Sequence, residues 1–279
     1  MLADGVMGSE EGAEIQSWHG DNLIIGAMNR RELRIQGEAT LKDLFGSAAQ
    51  TRGLGHLLTE PVYGGVWNRP GLARADRMLC TIAALATGPR LTALRRHLAA
   101  ALDLGLSPEA IREILVQAAL YAGFSAAEDT LALAAEVFKE RGVPFPPDPP
   151  EDVSLEELTR RGTELMGVLH GDRARLGYAA PDNPFTGALY PTAIQYGYGE
   201  IWFRPGLERR QRALVAVAAF TALRLPEQVA KFGQSALNVG LSQTEVVEAV
   251  IQTAPASGFP PALNALGALS AVFDTGRSS

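Results

Sequence analysis

The chain has 279 residues, a formal net charge of −6, 47% hydrophobic residues and a mean hydropathy of +0.03. That length accommodates two domains of ordinary size, and the acidic balance argues against a nucleic-acid partner, which wants a basic face. A single cysteine, Cys80, excludes an internal disulfide, a CxxC redox pair and a thiolate metal cluster. No apolar run reaches membrane-spanning length and no polybasic run suggests an anionic membrane. Met1–Glu14 is Gly-rich and acidic rather than charged-then-apolar, so a reducing, cytoplasmic location is expected.

In chain order, residues 1–20 show no periodicity and contain His19. Residues 21–27 carry the apolar run Leu23-Ile24-Ile25, read as a strand-like arm or packing segment. Residues 31–60 are charged and mixed, with helix expected around Leu41–Leu44, and His56 follows in Gly55-His56-Leu57. Pro70 suits a helix start, with Leu72, Leu79, Ile82, Ala83 and Ala86 as the apolar stripe. Gly88-Pro89 ends that helix. The next, Leu91–Leu104, stops at Gly105. Ser107-Pro108-Glu109 opens a third, ended by Gly123, and a fourth is expected at about Ala126–Lys139. Val143–Pro150 holds five prolines, at 144, 146, 147, 149 and 150, and reads as a stiff linker. Ser154 with Glu157 suggests a capping box opening a helix at about Leu155–Leu169. Ser242 with Glu245 suggests another, and Pro255 is expected to break its helix early.

No period-2 strand is found, so the class is all-α. Sliding Tyr63–Asp129 forward by 135 residues lays it without a gap on Tyr198–Asn264, with 23 of 67 pairs identical. The matches include Tyr63/Tyr198, Trp67/Trp202, Arg69-Pro70-Gly71-Leu72 against Arg204-Pro205-Gly206-Leu207, Arg77/Arg212, Gln117/Gln252 and Gly123-Phe124/Gly258-Phe259. A register of that length means domain duplication rather than a solenoid array. The organisation read from it is an arm at 1–38, copy one at 39–142, a linker at 143–153 and copy two at 154–279.

Trp67-Asn68-Arg69-Pro70-Gly71-Leu72 with Arg77, the His97-x-x-x-Ala101-Leu102-x-x-Gly105 segment, and Tyr121-Ala122-Gly123-Phe124 resemble the carboxymuconolactone decarboxylase family, within the alkylhydroperoxidase-like group. In copy two Gly162, Met166, Gly171, Phe185 and the run Tyr198–Leu207 are similar to the family's N-terminal half. The resemblance implies helical domains that assemble as trimers or hexamers, so that a tandem chain would form a trimer of fused pairs. It implies a cofactor-free lyase acting on a small carboxylic acid or lactone. The peroxidase branch needs a CxxCxxxH arrangement that is missing here, which disfavours thiol peroxide chemistry.

The family pairs a Glu in Gly-Glu-x-Trp with a His before Ala-Leu-x-x-Gly. Copy one has His97 but Gly65; copy two has Glu200 but Phe232. Either His97 and Glu200 form one composite catalytic site, or both copies have drifted toward another reaction (isomerisation, cyclisation or dehydration) or toward binding alone. The family's reaction needs cations for carboxylates, fixed donors for an enolate oxygen and a positioned acid for the carbanion. Arg69 and Arg204 are candidate carboxylate holders, or ties between a loop and a helix end; Arg77 and Arg212 share that ambiguity. Glu200 is either reactive or paired with Arg204 or Arg212. Trp67, Trp202 and Tyr198 are pocket wall or core. His170, near a helix C-terminus where a charged ring would suit the dipole, is a further substrate-binding candidate. The histidines at 19, 56, 97 and 170 have no metal-ligand spacing.

Overall fold

The computed structural model describes residues 28–48, 51–150, 152–176 and 183–275. These form helices and turns with no strand among them, as the all-α reading expects. His19 and residues 21–27 lie outside the described residues. The chain divides into two compact units, Met1–Pro70 and Gly71–Ser279.

In the first unit, helix α1 (Arg30–Phe45) opens on a capping box between Asn29 and Glu32 and ends at Gly46 in the left-handed region. A short turn at His56–Leu58 leads into a π-helical segment, Thr59–Gly65, and a 3₁₀ turn, Val66–Asn68. Helix and π segment touch backbone to backbone: a Cβ on Gly37 would lie 1.9 Å from the Thr59 carbonyl oxygen, and one on Gly64 would lie 2.1 Å from that of Leu33. Glu60 is buried at this crossing and accepts from Arg30 and Arg34 at 2.8 and 2.6 Å, and Asn68 Nδ2 donates to Thr40 Oγ1 at 2.9 Å.

The second unit holds helices α2 (Arg74–Ala86), α3 (Leu91–Asp103), α4 (Pro108–Ala122), α5 (Phe124–Glu140), α6 (Leu155–His170), α7 (Arg209–Ala222), α8 (Pro226–Asn238), α9 (Gln243–Ser257) and α10 (Phe259–Thr275). A second π segment, Ala193–Glu200, precedes α7 and packs on α6. Neither Pro70 nor Pro205 begins a helix. Each precedes a glycine at positive φ (Gly71, +85°; Gly206, +107°), and the helix starts only after that turn. The glycines are also where loops meet helices. A Cβ on Gly206 would sit 3.1 Å from the Glu109 backbone, and one on Gly71 2.6 Å from Thr244. Pro255 does not end α9, which runs two residues past it to Ser257. A proline in a last turn forgoes a single i→i−4 bond, which the helix tolerates there. The Ser242–Glu245 box is complete, whereas Ser154 caps α6 alone and Glu157 turns to Arg160 and Arg161.

Helices α2 and α7 pack on each other and on α9; α7 also packs on α4. Every residue from Asp76 to Ala86 and from Arg212 to Ala222 is buried. The one-sided stripe expected for α2 is thus a helix covered all round, and small residues on it (Ala83, Ala84, Ala216, Ala219) let the backbones approach. Two polar clasps join the copies across this core. Arg77 of α2 donates to Glu248 (2.9 Å) and Gln252 (3.1 Å) of α9, and Gln252 donates back to Thr81 at 3.1 Å. Arg212 of α7 donates to Glu113 (3.1 Å) and Gln117 (2.9 Å) of α4, and Gln117 donates back to the Arg212 carbonyl at 2.9 Å. Arg77 and Arg212 are therefore structural, which resolves their ambiguity. Residues 143–150 have no regular structure; Arg112 donates to the Pro147 carbonyl, and Phe145 lies 5.6 Å from Phe138. Among the described residues no helix is long and apolar enough to cross a membrane.

Removing one partner of a buried ion pair strands the other charge. Glu113→Ala and Glu248→Ala are each expected to lower unfolding stability by about 3–5 kcal/mol in urea titration. The paired change Arg77→Met with Glu248→Met should recover much of that loss.

Candidate active site

Copy two assembles a hydrogen-bonded relay from three elements. Helix α6 and the second π segment cross as closely as their counterparts in the first unit: a Cβ on Gly199 would lie 2.0 Å from the Leu158 oxygen, and one on Gly162 would lie 2.2 Å from that of Ile194. This contact puts the last residue of α6, His170, beside Tyr198. Its Nε2 lies 3.1 Å from Tyr198 Oη and its Nδ1 lies 2.8 Å from Ser235 Oγ on α8. Ser235 donates its own proton to the Lys231 carbonyl at 3.0 Å. A carbonyl can only accept, so Nδ1 carries the ring proton and Nε2 accepts from the phenol. The relay runs inward from half-buried Tyr198 through His170, 9% exposed, to Ser235, fully buried.

His170 sits at a helix C-terminus, yet it is not the dipole-stabilised cation expected. Burial first, then the charges of Arg173 and Lys231, lower its pKa to about 4. A surface helix end contributes only about 0.3–1 kcal/mol, too little to offset that desolvation. Around the ring stand Phe232 (centroids 5.1 Å), Phe220 (4.9 Å from Phe232) and Tyr121 of copy one (4.4 Å from Phe220). Burial pushes the Tyr121 phenol up to about 12, against hydrogen bonds to Gln117 and Trp202 that lower it.

Glu200 follows Tyr198 by two residues on the same segment and is partly buried. Among the described residues no hydrogen bond or ion pair engages its carboxylate. Its suggested partners are taken: Glu113 accepts from Arg204 Nε at 3.0 Å and from Arg212 at 3.1 Å. Arg204 is thereby tied to α4, while Arg69 lies just past the 3₁₀ turn of the first unit. Trp67 and Trp202 are each 4% exposed and stack on Tyr63 and Tyr198 at 6.3 and 6.4 Å.

His97 lies on α3, buried, with its Nδ1 donating to the Ala93 carbonyl at 2.8 Å. Burial, aided by Arg96, lowers its pKa to about 4 against the raising effect of that hydrogen bond. Helix α3 packs on α2, α4 and α5, whereas the π segment carrying Glu200 packs on α6, so different neighbours hold the two residues.

The glycine crossings also fix a register that simple sliding misses. Gly37 and Gly162 are equivalent at an offset of 125, whereas Thr59 and Ile194 are equivalent at 135. Copy two thus carries ten extra residues between helix and π segment, and Phe45 becomes the counterpart of His170. The ring geometry agrees: Phe45 meets Tyr63 edge-on at 5.7 Å and His170 meets Tyr198 edge-on at 5.8 Å. Copy one therefore has phenyl then imidazole (Phe45, His97), and copy two imidazole then phenyl (His170, Phe232). The gapless alignment shows only the second exchange.

Cys80 is fully buried, and burial with nearby Asp76 raises its pKa far above the usual thiol range, so it behaves as a small hydrophobe. Among the described residues no group of three His, Cys, Asp or Glu side chains is placed to hold a metal. A surface depression at the opposite end of α8, lined by Arg224, Pro226, Ser257, Pro260, Pro261 and Asn264, offers no acid or base for proton transfer.

The fold and these residues define a duplicated helical domain with buried, neutral imidazoles available for acid–base work. The chain belongs to the carboxymuconolactone decarboxylase family, whose model matches residues 54–136 and 188–271. It is 41% identical over 81 residues to 4-carboxymuconolactone decarboxylase of Acinetobacter baylyi, a match covering 29% of this chain and 60% of that protein. It is 29% identical over 119 residues to nitrosuccinic acid decarboxylase npaB of Metarhizium robertsii, covering 41% of this chain and 83% of that protein.

Both histidines have folded pKa values of about 4 against 6.5 ordinarily. Above pH 6.5 they are neutral folded or unfolded. Between 6.5 and 4 the unfolded chain takes up protons that the folded imidazoles refuse, so stability falls by up to about 1.4 kcal/mol per pH unit per histidine. His97→Phe and His170→Phe, each borrowing the other copy's residue, should each remove one share of that slope in urea titrations at stepped pH.

Proposed function

We propose that the protein is a cofactor-free carboxy-lyase acting on a small carboxylated lactone or related carbon acid through an enolate. The observation that carries this reading is one buried, neutral imidazole per copy, His97 and His170, each with a fixed Nδ1 partner, in a chain of a decarboxylase family. The named decarboxylases among its relatives support the reaction class.

In such a reaction the carbon–carboxylate bond breaks and its electron pair passes through the conjugated system onto a carbonyl oxygen. The substrate supplies the electron sink; the protein supplies a dry site and a proton. An anionic substrate favours protonation of a nearby imidazole, which then protonates the carbanion. Glu200, uncommitted among the described residues, is the proposed carboxylate partner in that exchange; Trp202 and Tyr198 wall the copy-two site. Arg69 and Arg204 remain proposed carboxylate holders, with Arg204 needing to share itself with Glu113. A homo-oligomer is also proposed. It is supported by the exposure of Phe124 (63%) and Phe259 (61%) at equivalent places in the two copies.

Carbon dioxide release from 4-carboxymuconolactone and a panel of β-keto acids tests this. The double variant His97→Phe/His170→Phe is expected to lose about 10²–10⁴-fold in rate, and Glu200→Gln to lower it as well. Cys80→Ala should stay within about two-fold, since a buried thiol of that size is replaced with little change of shape. A double variant as fast as the parent would refute the assignment.

A further inference from the structure

We propose that copy two carries a proton-transfer site of its own in which Tyr198, backed by His170 and Ser235, is the residue that meets the substrate. The proposal rests on the carboxy-lyase reading and specifies which atom delivers the proton. Both nitrogens of His170 are engaged, Nδ1 by Ser235 at 2.8 Å and Nε2 by Tyr198 Oη at 3.1 Å. An imidazole held at both ends passes protons along its line of partners. The outer end of that line is Tyr198, half-buried, while His170 is 9% exposed and Ser235 fully buried. The inner end is closed, because the Lys231 carbonyl accepts from Ser235 and from Arg173 at 3.3 Å. Copy one has no equivalent device: Ala100 stands at the serine position, Phe45 at the histidine and His97 at Phe232.

The step balances as follows. With an anionic carbon acid bound, Nε2 of His170 takes one proton from solvent. Loss of CO₂ leaves an enolate. Tyr198 Oη gives its proton to the enolate carbon and is reprotonated by Nε2–H. The imidazole returns to the neutral, Nδ1-protonated form seen here, and the net change is one carboxylate and one proton consumed, one CO₂ and one C–H formed. The class of ligand is a small, planar, conjugated carboxylate. The ring of Tyr198 lies nearly parallel to Trp202 (13°), which fixes the direction of its hydroxyl. The charges of Arg173 and Lys231 act on the His170 ring and favour an anion there. His170 and Ser235 are positioning residues in this scheme.

The two copies then act in parallel, so their rates add. Carbon dioxide release from 4-carboxymuconolactone by His97→Phe should retain a measurable share of the parent rate. Adding Tyr198→Phe should remove that share, His170→Phe should remove it equally, and combining the two should bring no further loss. Tyr198→Phe alone should leave the His97 share in place. A His97→Phe protein with no activity, or one whose activity survives Tyr198→Phe but not His170→Phe, would overturn the proposal. If the parent releases no CO₂ at all, the carboxy-lyase reading fails, and the relay is judged separately by ¹⁵N NMR of His97→Phe protein. Adding 4-carboxymuconolactone should then move the His170 Nε2 signal toward its protonated position, and less so with Tyr198→Phe present. An unmoved signal would overturn the relay.

Discussion

Two buried arginines hold this duplicated fold to itself. Arg77 reaches from copy one to Glu248 and Gln252, and Arg212 reaches back from copy two to Glu113 and Gln117. All six residues lie on helices buried by the contact, and all six are repeated at the 135-residue offset. Neither copy alone can satisfy these groups, since each guanidinium's carboxylate lies on the other copy. Burying such charges is favourable only when geometry and extra hydrogen bonds repay desolvation. Here Glu113 accepts from Arg112, Arg204 and Arg212. The compensation is incomplete, because Arg212 Nε lacks a partner. Incomplete satisfaction of a buried cation is weak evidence for stability but good evidence for specificity of register. The arginines can reach their carboxylates only if α2, α4, α7 and α9 pack in one alignment.

That alignment lets the rest of the chain diverge. The front helix and π segment of each copy meet through glycine contacts so close that their backbones touch, and this crossing carries the candidate chemistry. With the crossing fixed, exchanging one phenyl and one imidazole moves the acid–base group from one wall to the other without changing the aromatic volume. Burial keeps both imidazoles neutral, overriding a favourable helix dipole at His170. The duplication thus leaves two unlike half-sites where a symmetric dimer would have two identical ones.

Much of the architecture was legible in sequence because helix starts and stops have local causes. Ser107, Gly105, Gly123 and the Ser242–Glu245 box all act as their chemistry dictates. The errors came where tertiary contact overrides a local rule. Pro70 and Pro205 belong to turns shaped by the following glycine, and Pro255 is tolerated in a last turn. The clasp was visible as repeated residues, but its role was not, because an arginine repeated in sequence can serve either a carboxylate ligand or a partner helix. The equivalence of Phe45 and His170 was hidden by ten extra residues in copy two, and only the backbone contacts of Gly37 and Gly162 restore it. A sequence signal did exist: the Leu33/Gly37 spacing recurs in Leu158/Gly162.

The most direct measurement is the ¹⁵N NMR spectrum of the histidine rings in the ligand-free protein at neutral pH. His97 and His170 should each appear as a single neutral tautomer with the proton on Nδ1, fixed by Ala93 and Ser235 respectively, and distinct from exposed His56. An imidazolium at either position, or the averaged signals of an unrestrained ring, would contradict the placement of these two groups and the chemistry built on it.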